Sequence, residues 1–299
     1  MSKMNVAKII KGLSLIFSIV FVITSATPVL AGAPICNVDG GGGVGVTPTA
    51  WITSSSNDTS FLDGWIQKPT IGMWHGYFYD INTDYNVYCL NFGVKDRVEF
   101  SCARATASVD NGPDIKMDSF GAKINLIKEN SFSSPFVPAV SVGATYRVNH
   151  DIQGMDDDKG LDYYLVASKI VPKVGLLPFP LLLNAGAVYT DAQQRGIFGF
   201  NDDNDFLWFF DFCGIVPLFP KWDYFTTCFP GVEYRSGASY DDGYKEEDTW
   251  IAYCDLLATD NLIIALAHIW NGNPKNNNPF SRSKVGLGDA FIFMLDYDF

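Results

Sequence analysis

The sequence predicts an all-β protein, an antiparallel transmembrane β-barrel of about twelve strands closed by its C-terminal strand. Three observations predict it. Segments of about ten residues alternate apolar and polar side chains, the connections between them alternate long and short, and the chain ends on FIFMLDYDF, Phe291 to Phe299. Termini in water tend to fray, so a last strand in strict alternation that stops on a bare aromatic residue suits lipid better than water.

The alternation is clearest over 137–148. Val140, Val142, Ala144, Tyr146 and Val148 share one face, with Ser141, Gly143, Thr145 and Arg147 on the other. Phe120, Ala122, Ile124 and Leu126 oppose Ser119, Gly121, Lys123 and Asn125 in the same way. A soluble antiparallel sheet also alternates. Here, however, charges fall inside the strands or near their ends beside strongly apolar neighbours, which suits a wall with lipid outside and water inside. The lumen-facing candidates are Lys123, Asn125, Arg147, Glu233, Arg235, Asp296 and Asp298.

Candidate strands run over 70–79, 84–94, 97–107, 117–128, 138–148, 161–171, 181–191, 206–216, 223–235, 249–258, 261–270 and 285–299. Two connections are minimal, Lys95-Asp96 and Thr259-Asp260, while 108–116, 149–160, 192–205, 236–248 and 271–284 are long and polar. The long ones all fall on one side of the sheet, as outward loops do in such barrels, and Phe299 then lies at the periplasmic rim. Tyr and Trp gather near strand ends, at Tyr77, Tyr79, Tyr146, Tyr163, Tyr164, Tyr189, Trp208, Trp222, Tyr224, Trp250, Trp270 and Tyr297, as interfacial girdles require.

Residues 1–31 read as a secretory signal: Lys3, Lys8 and Lys11 precede the apolar run LSLIFSIVFVI, and Val29-Leu30-Ala31 offers small residues for cleavage. Ile35 directly before Cys36 is wrong for lipoprotein processing. Losing three lysines and no acids takes the formal charge from −12 to −15. Nucleic acid is excluded as a partner, because phosphate binding needs clustered Lys and Arg. Residues 32–69 carry GGGGVGVTPTA (Gly40 to Ala50), too glycine-rich for a good strand. This segment is expected either at the periplasmic mouth or close-packed as a plug in the lumen of a barrel spanning 70–299.

That glycine-rich run, the stretch FGVKDRVEFSCAR (Phe92 to Arg104) and GVEYR followed by DTWIAYCDLLATDNLIIALAHIWNG (to Gly272) together resemble an uncharacterised family of Gram-negative outer-membrane barrels, domain of unknown function 3034. The glycine-rich entry with TPTA is more distantly similar to exopolysaccharide-associated outer-membrane proteins. The resemblance implies location and architecture, with no catalytic residues to carry over.

His75, His150 and His268 lack any short metal-ligand spacing, and no nucleophile motif is present, so neither an enzyme nor a cofactor is expected. The acidic clusters in the loops lack the regular calcium-loop pattern and read as solvated loop surface; the alternative is that they draw cations toward a pore mouth, and lumen candidates of both signs leave selectivity open. Of six cysteines, two pairs are candidate disulfides. A two-residue turn at 95–96 pairs Val94 with Arg97 and places Cys89 opposite Cys102; a turn centred near 220 brings Cys213 toward Cys228. Free thiols packed in the strands remain equally compatible. In the last strand Phe291, Phe293, Leu295, Tyr297 and Phe299 are expected toward lipid, with Tyr297 and Phe299 as the signal read by the barrel-assembly machinery. The function expected is an outer-membrane channel or uptake pore for small solutes. The alternatives are a non-transporting envelope protein linked to exopolysaccharide and a secreted β-sandwich binding module.

Overall fold

In the computed structural model, residues 35–53, 60–61, 65–109, 114–150, 158–172, 177–192, 194–195, 198–200, 205–219, 224–238, 245–272, 284–285 and 287–299 are described. The expected signal (1–31), Trp222 and much of the outward acidic loops lie outside them. Twelve long strands form one closed antiparallel sheet. They are β1 (Thr70–Phe78), β2 (Thr83–Val94), β3 (Val98–Val109), β4 (Ile115–Ile127), β5 (Ala139–His150), β6 (Lys159–Val171), β7 (Leu181–Thr190), β8 (Asp205–Gly214), β9 (Thr227–Arg235), β10 (Thr249–Thr259), β11 (Leu262–Asn271) and β12 (Gly288–Asp298). Each pairs with its neighbours in chain order, and β12 closes on β1 from Ala290↔Phe78 to Asp298↔Thr70. Closure leaves no strand edge unpaired, which is what lets a sheet cross hydrocarbon.

The two faces follow the pleat. Ile71, Met73, Leu90, Phe100, Phe120, Ile124, Leu126, Leu165, Leu183 and Leu266 are exposed on the outer wall, while their strand neighbours are buried inside. In β12, Phe291, Tyr297 and Phe299 are exposed and Ile292, Met294 and Asp296 are buried. An outward aromatic cluster, Trp208, Phe210, Tyr234 and Trp250, sits where β8 and β10 begin, toward the long loops. At the other end Tyr297 and Phe299 pack edge to face at 5.2 Å. Tyr164, expected among the girdle residues, points inward instead and lines a lumenal cavity.

Two expectations about the turns need correction. The β2–β3 turn spans Lys95, Asp96 and Arg97, so Val94 pairs with Val98 rather than with Arg97. Lys95 and Asp96 take left-handed φ values of 51 and 50°, which tightens the chain reversal. One residue of slip moves every cross-strand neighbour to the other face. Tyr88, Leu90 and Phe92 therefore lie opposite Arg104, Cys102 and Phe100, which makes this hairpin's outer face predominantly apolar. The β10–β11 turn likewise sits one residue later, at Asp260-Asn261, after a bulge between Leu257 and Thr259.

The same registers overturn both disulfide pairings. Cys89 pairs with Ala103 and faces inward, while Cys102 pairs with Leu90 and faces outward. Cys213 pairs with Gly231 inside the barrel, whereas Cys228 stands outside, its Sγ 3.1 Å from Cys254 Sγ.

Candidate functional site

The inward side chains do not line open space. Residues 35–53 lie among them, with Ile35, Cys36, Asn37, Val38, Val44, Val46, Thr47, Thr49, Ala50, Ile52 and Thr53 all buried. The segment starts as a short antiparallel pairing of Ile35–Cys36 with Gly42–Gly43, then runs on through the TPTA stretch. Glycine and small residues suit this course, because a backbone can meet wall side chains directly only where its own side chains are small.

On β9, Glu233 accepts the amide hydrogens of Val46 and Thr47 at 3.0 and 2.6 Å. On β3, Glu99 accepts from Gly42 N at 2.7 Å and from Thr53 through N and Oγ1 at 2.8 and 2.6 Å. Lys123 on β4 pairs with Glu99 at 2.9 Å and donates to the Gly42 carbonyl at 3.1 Å. Both members of that ion pair are only 1% exposed, so each depends on the other for solvation. Arg147 on β5 bridges Asp162 of β6 at 2.6 Å and Asp39 of the segment at 2.7 Å.

The TPTA stretch is held by neutral groups. Asn125 donates to the Ala50 carbonyl at 2.9 Å, as does Ser141, while Ser168 accepts from Ala50 N at 2.7 Å. Asn184 on β7 donates to the Pro48 carbonyl at 3.0 Å. Opposite this polar arc, Ile35, Val38 and Val46 pack against an apolar arc that includes Trp74, Tyr85, Val87, Ile251, Ile263, Ile269, Ile292 and Met294. Asp296 on β12 accepts from Cys36 N at 3.3 Å. Two cavities between segment and wall hold about 20 Å³ each, room for roughly one water apiece.

The sequence-expected lumen residues thus fall in three places. Lys123, Asn125, Arg147, Glu233 and Asp296 touch the segment; Arg235 is buried nearby and lies 3.9 Å from Glu246; Asp298 turns inward near the rim, bonded to Thr70. Tyr297 and Phe299 stand on the outer wall. The three histidines are separate on the outer face, His75 beside Asn86, His150 beside Asp118 and His268 beside Asp289. Glu99, Asp39, Asp162 and Ser168 are contacts that the sequence did not single out. The available signal was a mid-strand charge in an apolar strand, which Glu99 carries.

A closed antiparallel barrel with an apolar outer band, buried charged side chains on its inner wall and short turns at one end is an outer-membrane β-barrel. The family model described as "Protein of unknown function (DUF3034)" matches residues 32–277, and the chain belongs to that family. No curated protein matches the sequence. Among solved structures it is similar to the KdgM porin (12% identity over 77% of this chain and 99% of that one, TM-score 0.48). The NanC porin is similar at 8% identity over 77% of this chain and 100% of that one, with TM-score 0.45. Outer-membrane protein Omp33 of Acinetobacter baumannii is similar at 9% identity over 79% and 100%, with TM-score 0.43. At these values the likeness says nothing of function, and the fold rests on the strand pairing above.

Proposed function

We propose that the protein is a pore for small solutes, favouring cations, that is held shut by its own residues 35–53. The observation that carries this reading is the mode of attachment. Along its polar arc the wall grips the segment through hydrogen bonds to backbone amides and carbonyls, with Asp39 as the segment's charged contact. Such bonds exchange for bonds to water when the segment withdraws and the lumen floods, so the neutral ones hold by about 0.5–1.5 kcal/mol net and those to Glu99 and Glu233 by about 1.5–3 kcal/mol.

The expected selectivity follows from the wall. Buried inward acids on the strands are Glu99, Asp162, Asp211, Glu233, Asp255 and Asp296, against the bases Lys123, Arg147 and Arg235. A flooded lumen with that excess of carboxylates attracts cations.

Planar-bilayer recording tests the reading. The mature chain is expected to be mostly silent, and deletion of residues 38–50 is expected to give conductance steps with a reversal potential on the cation side. A deletion variant that inserts and stays silent contradicts the pore. It would favour the second reading that the filled lumen permits, a non-transporting envelope protein of the kind associated with exopolysaccharide.

A further inference from the structure

Cys36 and Cys89 meet over Gly72. Cys36 opens the N-terminal segment, and Cys89 faces inward on β2 opposite Gly72 of β1. A Cβ on Gly72 would lie 2.7 Å from Cys89 Sγ and 2.8 Å from Cys36 Cβ, so only glycine leaves room for the two side chains to approach. The Cys36 thiol donates to the Gly40 carbonyl at 3.3 Å. Cys36 is placed from three further sides: its amide donates to Asp296, its carbonyl accepts from Trp74 Nε1 at 3.0 Å, and Asn91 Nδ2 lies 3.1 Å from its sulfur. Both cysteines are buried, and neither is part of the hydrogen-bond set that holds residues 42–53.

We propose that Cys36 and Cys89 form a disulfide that locks the N-terminal segment into the lumen, so that the redox state of this pair sets whether the barrel can open. This rests on the pore reading. Residue 69 is joined directly to β1, so a bond at Cys36 anchors the segment to the wall at both ends and prevents withdrawal. Without it the segment is covalently free at its N-terminal end. The chemistry is thiol–disulfide exchange with a periplasmic protein disulfide as oxidant. One cysteine thiolate attacks the donor's S–S bond, and the second thiolate displaces the donor from the mixed disulfide. The two thiols release two protons and two electrons, and the donor leaves as a dithiol. Burial pushes the Cys36 thiol well above its ordinary pKa, so exchange belongs to the stage before the segment seats, and the seated bond is shielded from small reductants. The outward pair Cys228 and Cys254, sulfurs 3.1 Å apart, joins neighbouring strands β9 and β10 and does not touch the segment.

The test has two parts on the full mature chain. Protein isolated without reductant is alkylated in denaturant, digested and mapped by mass spectrometry; a Cys36 peptide linked to the Cys89 peptide is expected. Open time is then recorded in planar bilayers for the wild type, C36S, C89S, the C228S/C254S double variant and the 38–50 deletion. C36S and C89S are expected to raise open time about tenfold or more, with C228S/C254S unchanged. Cys36 and Cys89 alkylated as free thiols would overturn the proposal. So would linked peptides with wild-type gating in both C36S and C89S while the deletion variant conducts; the pore reading would then survive. A silent deletion variant overturns the pore reading, and the lock with it.

Discussion

Gly45 stands against Glu233 with no room for a side chain between them: a Cβ on Gly45 would come within 2.3 Å of Glu233 Oε2, and its φ is +72°. The left-handed backbone there aims the next two amides at one carboxylate. Replacing Gly45 by Val therefore incurs about 1–2 kcal/mol of backbone strain before the collision is counted. That alone is worth about tenfold in the occupancy of the seated state. G45V is expected to raise open time in bilayers at least tenfold while the folded band on SDS gels remains; wild-type gating in G45V would contradict the contact.

Lys123 and Glu99 form a fully buried pair, and removing one partner strands the other. Lys123→Met is expected to destabilise the folded barrel by about 3–5 kcal/mol. The check is the temperature at which the folded, SDS-resistant band converts to the unfolded one, which should fall clearly. Adding Glu99→Gln to the same chain should recover part of the loss, because no uncompensated charge then remains.

The corrected β2–β3 register separates two cysteines that simple turn counting would join. Cys102 faces the outer wall and Cys89 faces the lumen. A lipid-soluble maleimide presented from the bilayer is expected to label Cys102 and to leave Cys89 unmodified in the folded barrel. Labelling of Cys89 from the lipid phase would mean that the register slips by one residue.

Tyr297 and Phe299 project outward from the closing strand at the short-turn rim, and Phe299 N donates to the Pro69 carbonyl at 3.2 Å. If the assembly machinery reads this end, deleting Phe299 should lower the inserted yield in cells several-fold. Refolding of the same variant into detergent should change little. Equal losses in both settings would assign Phe299 to packing instead.

Sequence patterning carries the architecture here because the two solvents of the wall impose a period of two on each strand, and closure requires every strand to pair. FIFMLDYDF shows this well: its outward aromatic residues and inward Asp296 are fixed by the pleat alone. Turn geometry is less legible. Lys95-Asp96-Arg97 looks like a two-residue reversal plus a strand residue, and only the left-handed Lys95 and Asp96 reveal the extra position. That single residue decides where Glu99, Cys89 and Cys102 point. The lumen contacts are harder still, because Glu233 and Val46 are 187 residues apart and no local spacing links a wall carboxylate to a backbone amide. The charges that mark the inner wall can be read from Lys123, Arg147 and Glu233; what they bind cannot. For the same reason the cysteines defy counting, since Cys36 reaches Cys89 only through the path of the N-terminal segment.

Hydrogen–deuterium exchange of the segment's amides in the detergent-folded mature chain tests most directly whether residues 35–53 occupy the lumen. Gly42, Val46, Thr47 and Thr53 donate to buried carboxylates, and Ala50 to buried Ser168. Peptides covering 42–53 are expected to exchange as slowly as those of the barrel strands. Complete exchange of these peptides within seconds, at the rate of a free linker, would contradict it.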